Sequence, residues 1–272
     1  MPLLKISIST KKKLPFWNLS MTTNKIWVIT MFPEIYRPFL ETGVAGQALR
    51  SERGQKFEFN TISLRNYSPN DFKGVDDSPF GGGAGMVMRA DVLKNALIEG
   101  VVKPGGYDTE KYKEQLHIVY TSARGHQWTD SYAREFSARN WGVGKKKDLV
   151  FFCGRYEGID ERFLEKYVDE VICVGDYILT SGDLAVLNII DSAIRFVPGV
   201  LGNKISAEDE SFATPLLEHP HYTKPREFEG MEVPDVLLSG NHQKIEKYRR
   251  EERERMTKKW RPDLWEKIKD LK

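Results

Sequence analysis

Short apolar runs, most of them closed by glycine or a turn, alternate along this chain with longer stretches of helical spacing. Residues 25–31 (KIWVITM) carry the β-rich alternation of a strand. Pro33, just beyond, suits the first turn of a helix predicted through residue 49. A second strand is predicted over 57–64, a helix over 91–101 and a third strand over 117–121, after which Thr129 can cap a helix running toward residue 138. Two further apolar runs, 149–153 and 170–174, read as strands buried on both faces. The helix predicted over 183–197 is apolar nearly all round, as packing on two sides requires. This order of strand and helix predicts an α/β fold with a parallel sheet covered on both faces. Near the C-terminus, 241–260 reads as a long helix with Ile245, Tyr248 and Met256 among many charges, and 261–271 as a short one opened by Pro262.

The ends of these strands differ chemically from their middles. Gly154-Arg155-Tyr156-Glu157-Gly158 follows one run, the stretch from Gly175 to Gly182 follows the next, and Ser122-Ala123-Arg124-Gly125 follows the third strand. In an open parallel sheet ligands lie beyond the carboxyl ends of the strands, so these loops predict one pocket. A fourth glycine-bearing stretch, Phe80-Gly81-Gly82-Gly83-Ala84-Gly85-Met86, follows a polar segment over 66–79. It lacks the phosphate-loop lysine and the dinucleotide fingerprint, and on its own it reads more readily as a turn than as a site. Residues 203–218 break the pattern again; the acidic Ser206-Ala207-Glu208-Asp209-Glu210-Ser211-Phe212 has the composition of a linker, and a domain boundary is predicted there.

Charge adds one asymmetry. The 272-residue chain has a formal net charge of +2, yet residues 244–272 hold twelve Lys/Arg against seven Asp/Glu, which leaves the remainder slightly acidic. A basic terminal segment points to a polyanion such as nucleic acid, or equally to a solvated helix face. The two cysteines, Cys153 and Cys173, sit at predicted strand ends and point to a reducing compartment rather than a disulfide frame. No apolar run approaches the length of a membrane span. Residues 1–20 carry four lysines and no acid without the apolar middle of a secretory signal; they are expected to be a disordered extension, with organelle targeting as the alternative and Met21 as a second candidate start.

Candidate chemistry narrows by elimination. His219 and His221 stand two apart across a proline, which fails metal-ligand spacing, and no Gly-x-Ser-x-Gly elbow is present. Glu157, in a glycine-flanked turn at a strand end, is either a ligand-facing carboxylate or a solvated one. Asp191 and Arg195 stand four apart in the apolar helix; a structural ion pair is one reading, and an arginine presented to a phosphate or carboxylate is the other.

Taken together, several of these stretches resemble the bacterial tRNA (guanine-N1)-methyltransferase family. They are the run from Cys153 to Arg162, Gly175-Asp176-Tyr177-Ile178-Leu179, Arg195-Phe196-Val197-Pro198-Gly199-Val200-Leu201-Gly202 and His221-Tyr222-Thr223-Lys224-Pro225. With them go the loop from Gly81 to Met86, Gly230-Met231-Glu232-Val233-Pro234, and Leu238-Ser239-Gly240-Asn241-His242. The resemblance runs in consistent order from about residue 25 to the C-terminus. It implies a SPOUT-type α/β domain over 25–202 whose parallel sheet ends in a trefoil knot, a flexible linker over 203–217 and a small, mainly helical tRNA-binding domain over 218–272, with 1–24 as an extension. It further implies a cytoplasmic homodimer that methylates N1 of guanosine 37 in tRNA and grips the anticodon stem-loop with its C-terminal helices.

Carried over position by position, the resemblance assigns S-adenosylmethionine to Tyr120, Thr121, Ser122, Gly154, Val174, Gly175, Asp176, Tyr177, Ile178 and Leu179, with Gly182 and Asp183 close by. The general base of the family is an aspartate just before Ser-Phe; here that position is Glu210, preceded by Asp209, so either can serve. Arg195 is implied to stabilise charge on guanine O6, and Glu157 to help hold the site or a magnesium ion. Ala185 stands where the family usually has proline. The rival readings are a SPOUT methyltransferase acting on ribosomal RNA and a non-catalytic nucleotide- and RNA-binding regulator.

Overall fold

From the N-terminus the elements are β1 (Asn24–Thr30), α1 (Tyr36–Glu41), α2 (Gly43–Leu49), β2 (Phe57–Ser63), a two-strand hairpin of β3 (Asp76–Asp77) and β4 (Val87–Met88), and α3 (Ala90–Leu97). Next come the short turns α4 (Lys103–Gly105) and α5 (Tyr112–Gln115), then β5 (Leu116–Gln127), α6 (Asp130–Trp141), β6 (Asp148–Phe152), α7 (Glu161–Tyr167), β7 (Glu170–Cys173) and α8 (Gly182–Ile194). The hairpin of β8 (Glu227–Phe228) and β9 (Met231–Glu232) precedes α9 (Asp235–Leu238), α10 (His242–Trp260) and α11 (Pro262–Lys269). This computed structural model describes residues 23–69, 74–142, 144–145, 147–202 and 210–269. Nearly all of the expected extension over 1–24, Asp209 and most of the acidic linker stretch therefore lie outside the described residues.

Five strands pair in the order β2-β1-β6-β5-β7, every pairing parallel. Alternate side chains leave opposite faces. Ile26, Val28, Val119 and Phe151 join one core with residues of α1, α2, α6 and α8, while Trp27, Ile29, Ile118, Val150 and Phe152 join a second with residues of α3 and α7. Because both faces are covered, the strands read as near-continuous apolar runs. The predicted α/β class with a doubly covered parallel sheet is what the chain adopts.

Three elements differ from expectation for local physical reasons. The helix expected through residue 49 is interrupted at Thr42, whose backbone is extended, and restarts at Gly43 with φ +66°. Gly46 then lets α2 approach α1 closely, since a Cβ there would lie 2.7 Å from the carbonyl oxygens of Phe39 and Leu40. The helix expected over 91–101 is helical throughout, but its second half widens to a π-turn over Ile98–Val102. The strand expected to stop at residue 121 continues to Gln127, and both Thr121 and His126 pair with Ile172. Ser122-Ala123-Arg124-Gly125 is thus a bulge inside β5 rather than a loop that ends it.

Caps fall where side chains allow them. Thr129 accepts from the Tyr132 amide, Ser181 from Asp183 and Asn241 from Lys244, fixing the starts of α6, α8 and α10. Thr257 of α10 is fully buried and accepts from the Leu217 amide at 2.9 Å, which ties that helix to the segment before it. No helix among the described residues is long and apolar enough to cross a membrane.

The α6 core is aromatic. Phe136 is fully buried and meets Trp128 and Trp141 edge-on, at 5.3 and 6.1 Å between ring centroids, and lies 6.3 Å from Phe151 of β6. Phe136→Ala is expected to cost about 3–5 kcal/mol of stability. The urea midpoint measures it, and a loss below about 1 kcal/mol would mean that the cluster does not anchor α6 to the sheet.

Candidate active site

The loops after β6 and β7 meet over the C-terminal ends of the strands. After β7 the chain returns toward β6, and the Gly182 amide donates to the Gly154 carbonyl at 2.8 Å. A Cβ on Gly182 would sit 2.6 Å from the Gly154 nitrogen and 3.1 Å from the Cys153 Cα, so the approach depends on glycine. The turn after β6 closes through the Gly158 amide on the Arg155 carbonyl, 3.0 Å, with Tyr156 at φ +55°. The glycine-rich loop docks beside it. The Glu157 amide donates to the Met86 carbonyl and the Met88 amide to that of Gly158, at 3.0 and 2.9 Å, and a Cβ on Gly85 would collide with the Glu157 carboxylate. That loop is therefore an edge of the site, held by backbone contacts.

Between these loops lies a cavity of about 370 Å³. Tyr120, Thr121 and Ser122 of β5, Gly154 after β6, Val174, Gly175, Tyr177, Ile178 and Leu179 after β7, and Gly182 at the start of α8 all line it, as does Glu157 at its rim. Ala185 lines it too, on the buried side of α8. Arg155, which spacing alone did not single out, is also in the wall. Its guanidinium donates to the Thr180 carbonyl at 3.2 Å and stacks over Phe32 at 4.4 Å. Two buried polar atoms of this wall, Thr121 Oγ1 and Arg155 Nε, have no hydrogen-bond partner in the protein. Buried polar atoms are rarely left unpaired, which sets these two apart from the rest of the wall. Burial raises the Tyr120 phenol above its ordinary value, which keeps it a proton donor.

Two residues assigned to the pocket are placed elsewhere. Asp176 is exposed and outside the wall. Asp183 is 1% exposed and lies behind it, where its carboxylate accepts from Thr30 Oγ1 at 2.5 Å, from the Tyr36 hydroxyl at 2.9 Å and from Ser181 Oγ. Thr30 and Tyr36 belong to the far end of the sequence, and no local pattern could have paired them with Asp183.

Arg195 and Glu210 also stand away from this cavity. Their side chains bond to each other at 2.6 Å, so Arg195 pairs with Glu210 rather than with Asp191 four residues back. That bond is the main reason the guanidinium holds its proton more tightly than usual. Arg195 lines a separate cavity of about 780 Å³ with Trp128, Phe212, Leu264 and Lys267, between α6, α8 and α11. Asp209 is outside the described residues. Among the described residues no three His, Cys, Asp or Glu side chains converge to hold a metal ion.

The family model described as tRNA (Guanine-1)-methyltransferase TrmD matches residues 24–267. The chain belongs to the TrmD family. Similar proteins include the tRNA (guanine-N(1)-)-methyltransferases of Clostridioides difficile, 42% identical over 88% of this chain and 96% of that protein, and of Mesorhizobium japonicum, 45% identical over 89% and 96%. That of Bacillus pumilus is 41% identical over 91% of this chain and 94% of its own length. The match spans every loop of the cavity as well as Arg195, Glu210 and most of the C-terminal helices.

In this TrmD-family chain the contact between Gly182 and Gly154 sets the spacing of the cavity walls. Gly182→Ala forces backbone against backbone and is expected to cost about 1–3 kcal/mol, read as a lower urea midpoint. A variant as stable as the wild type would show that the two loops separate freely.

Proposed function

We propose that the chain transfers a methyl group from S-adenosylmethionine to N1 of guanosine 37 in tRNA, beside the anticodon. The observation that carries this reading is a TrmD-family match that includes every loop lining the cavity at the strand ends. The lining supports it: Val174, Ile178, Leu179 and Ala185 offer apolar surface for a nucleoside, with polar atoms at few points to orient it. When bound, S-adenosylmethionine supplies an electrophilic methyl group. Tyr120, Thr121, Ser122, Gly154, Val174, Gly175, Tyr177, Ile178, Leu179 and Gly182 would hold it, with Asp183 behind the wall.

The protein must remove the N1 proton of guanine and offset charge at O6. Glu210, or Asp209 before it, would take the proton, and Arg195 would face the oxygen. Their mutual bond at 2.6 Å supports assigning both to one base. Since neither lines the cavity of its own chain, a homodimer in which each subunit completes the other's site accounts for the separation. Glu157, the one carboxylate in the cavity wall among the described residues, would help to hold a magnesium ion.

We extend the reading to the architecture. The passage from β7 back to Gly154 supports a trefoil knot of the SPOUT kind, with 25–202 as the methyltransferase domain, 203–217 as a linker and 218–272 as a helical domain. The cation excess over 244–272 supports the last as the grip on the anticodon stem-loop. The two free, buried cysteines agree with a cytoplasmic protein.

Mass analysis of nucleosides from tRNA lacking the modification, after treatment with the protein and S-adenosylmethionine, should yield 1-methylguanosine; its absence would reject the reading. Arg195→Ala and Glu210→Gln are each expected to slow single-turnover methylation by about 10²–10³-fold. Because both lie outside the cavity, calorimetric affinity for S-adenosylmethionine should hold within about threefold. A Glu210→Gln variant at full rate would move the proton to Asp209.

A further inference from the structure

Asp183 is a buried carboxylate without a cationic partner. All three side chains that donate to it are hydroxyls, on Thr30, Tyr36 and Ser181, and among the described residues no Lys, Arg or His is paired with it. Its neighbours cannot supply the missing charge. Burial, and then the proximity of Cys153 and Asp183, raises the Tyr36 phenol far above its ordinary value, so it stays protonated and donates. Burial does the same to the Cys153 thiol, 3.1 Å from the Tyr36 hydroxyl. What stabilises the anion is three hydrogen bonds and its place in the first turn of α8, at the positive end of a thirteen-residue helix. Neutral donors lower the cost of burying the anion without cancelling its unit of charge.

That charge lies immediately behind the cavity. Ser181 and Gly182, the two residues before it, are in the cavity wall, and Gly182 is bonded to Gly154 across it. The wall itself is balanced, with Arg155 and Glu157 as its charged residues. The Arg155 guanidinium is engaged by the Thr180 carbonyl and the Phe32 ring. The carboxylate behind it is a second acidic group set against the single arginine of the wall.

We propose that Asp183 is a specificity determinant that acts by charge: from behind the wall it favours a ligand carrying a positive charge over a neutral one of the same shape. The inference rests on the reading of this cavity as the S-adenosylmethionine site. There Asp183 would favour the sulfonium donor over S-adenosylhomocysteine, the neutral thioether left once the methyl group has gone. Thr30 and Tyr36 hold it in place, so the C-terminal end of β1 and the start of α1 contribute to the exchange of product for fresh donor.

The test is calorimetric binding of S-adenosylmethionine and of S-adenosylhomocysteine to the full chain and to Asp183→Asn. Removing the charge should weaken the sulfonium ligand roughly tenfold while the thioether changes by less than about twofold. An equal loss for both ligands would overturn the inference, because a residue that only shapes the wall moves both alike; no loss for either would overturn it as well. If Asp183→Asn does not fold, Asp183→Glu and Asp183→Gln, matched in size and different in charge, are compared instead. The glutamate should keep the wild-type preference and the glutamine lose it, and the same preference in both would reject the proposal. A wild-type chain that binds neither ligand would remove the cavity reading itself, and this inference with it.

Discussion

One backbone hydrogen bond, from the Gly182 amide to the Gly154 carbonyl, holds together the parts of this molecule that do chemistry. It joins the chain leaving β7 to the chain leaving β6, across the strand β5 that lies between them in the sheet. The bond forms only because neither residue carries a side chain: a Cβ on Gly182 meets the Gly154 amide and the Cys153 backbone, and one on Gly154 meets the Tyr120 ring. Two strand-end loops that would otherwise be free therefore face each other at a fixed distance, with a cavity between them.

The sheet makes that constraint affordable. Apolar residues on both faces of β1, β5 and β6 are almost wholly excluded from water, so the strands behave as one rigid platform. Polar groups are left to the strand ends, where they either pair with one another or wait for a ligand. Asp183 belongs to the first kind, with three hydroxyls around it. Arg195 and Glu210 form a further polar unit outside the cavity.

Much of this was legible beforehand. The apolar runs marked all five strands of the sheet, and the glycine-bearing ends of two of them marked the cavity, because residues adjacent in sequence stay adjacent at a strand end. Thr129 and Asn241 announced their helices through capping, an interaction that spans only three residues. The family motifs singled out Arg195, Glu157 and the position of Glu210. Three features were hidden. Thr42 and Gly43 break a helix that periodicity would have continued, and Gly125 lets β5 run past its polar bulge by lying against the backbone of Val171 and Ile172. The setting of Asp183 depends on partners 153 and 147 residues away.

The sequence by itself thus determined the class of fold, the five strands of the sheet and the family, since period, caps and motifs are all read within a few residues. Tertiary structure alone decided which loops touch, that the glycine-rich loop is pinned by Glu157, and that a carboxylate expected in the pocket stands behind it. Those outcomes follow from strand register and from close approach of backbones, which join residues far beyond the reach of any local period and leave no periodic trace in the chain.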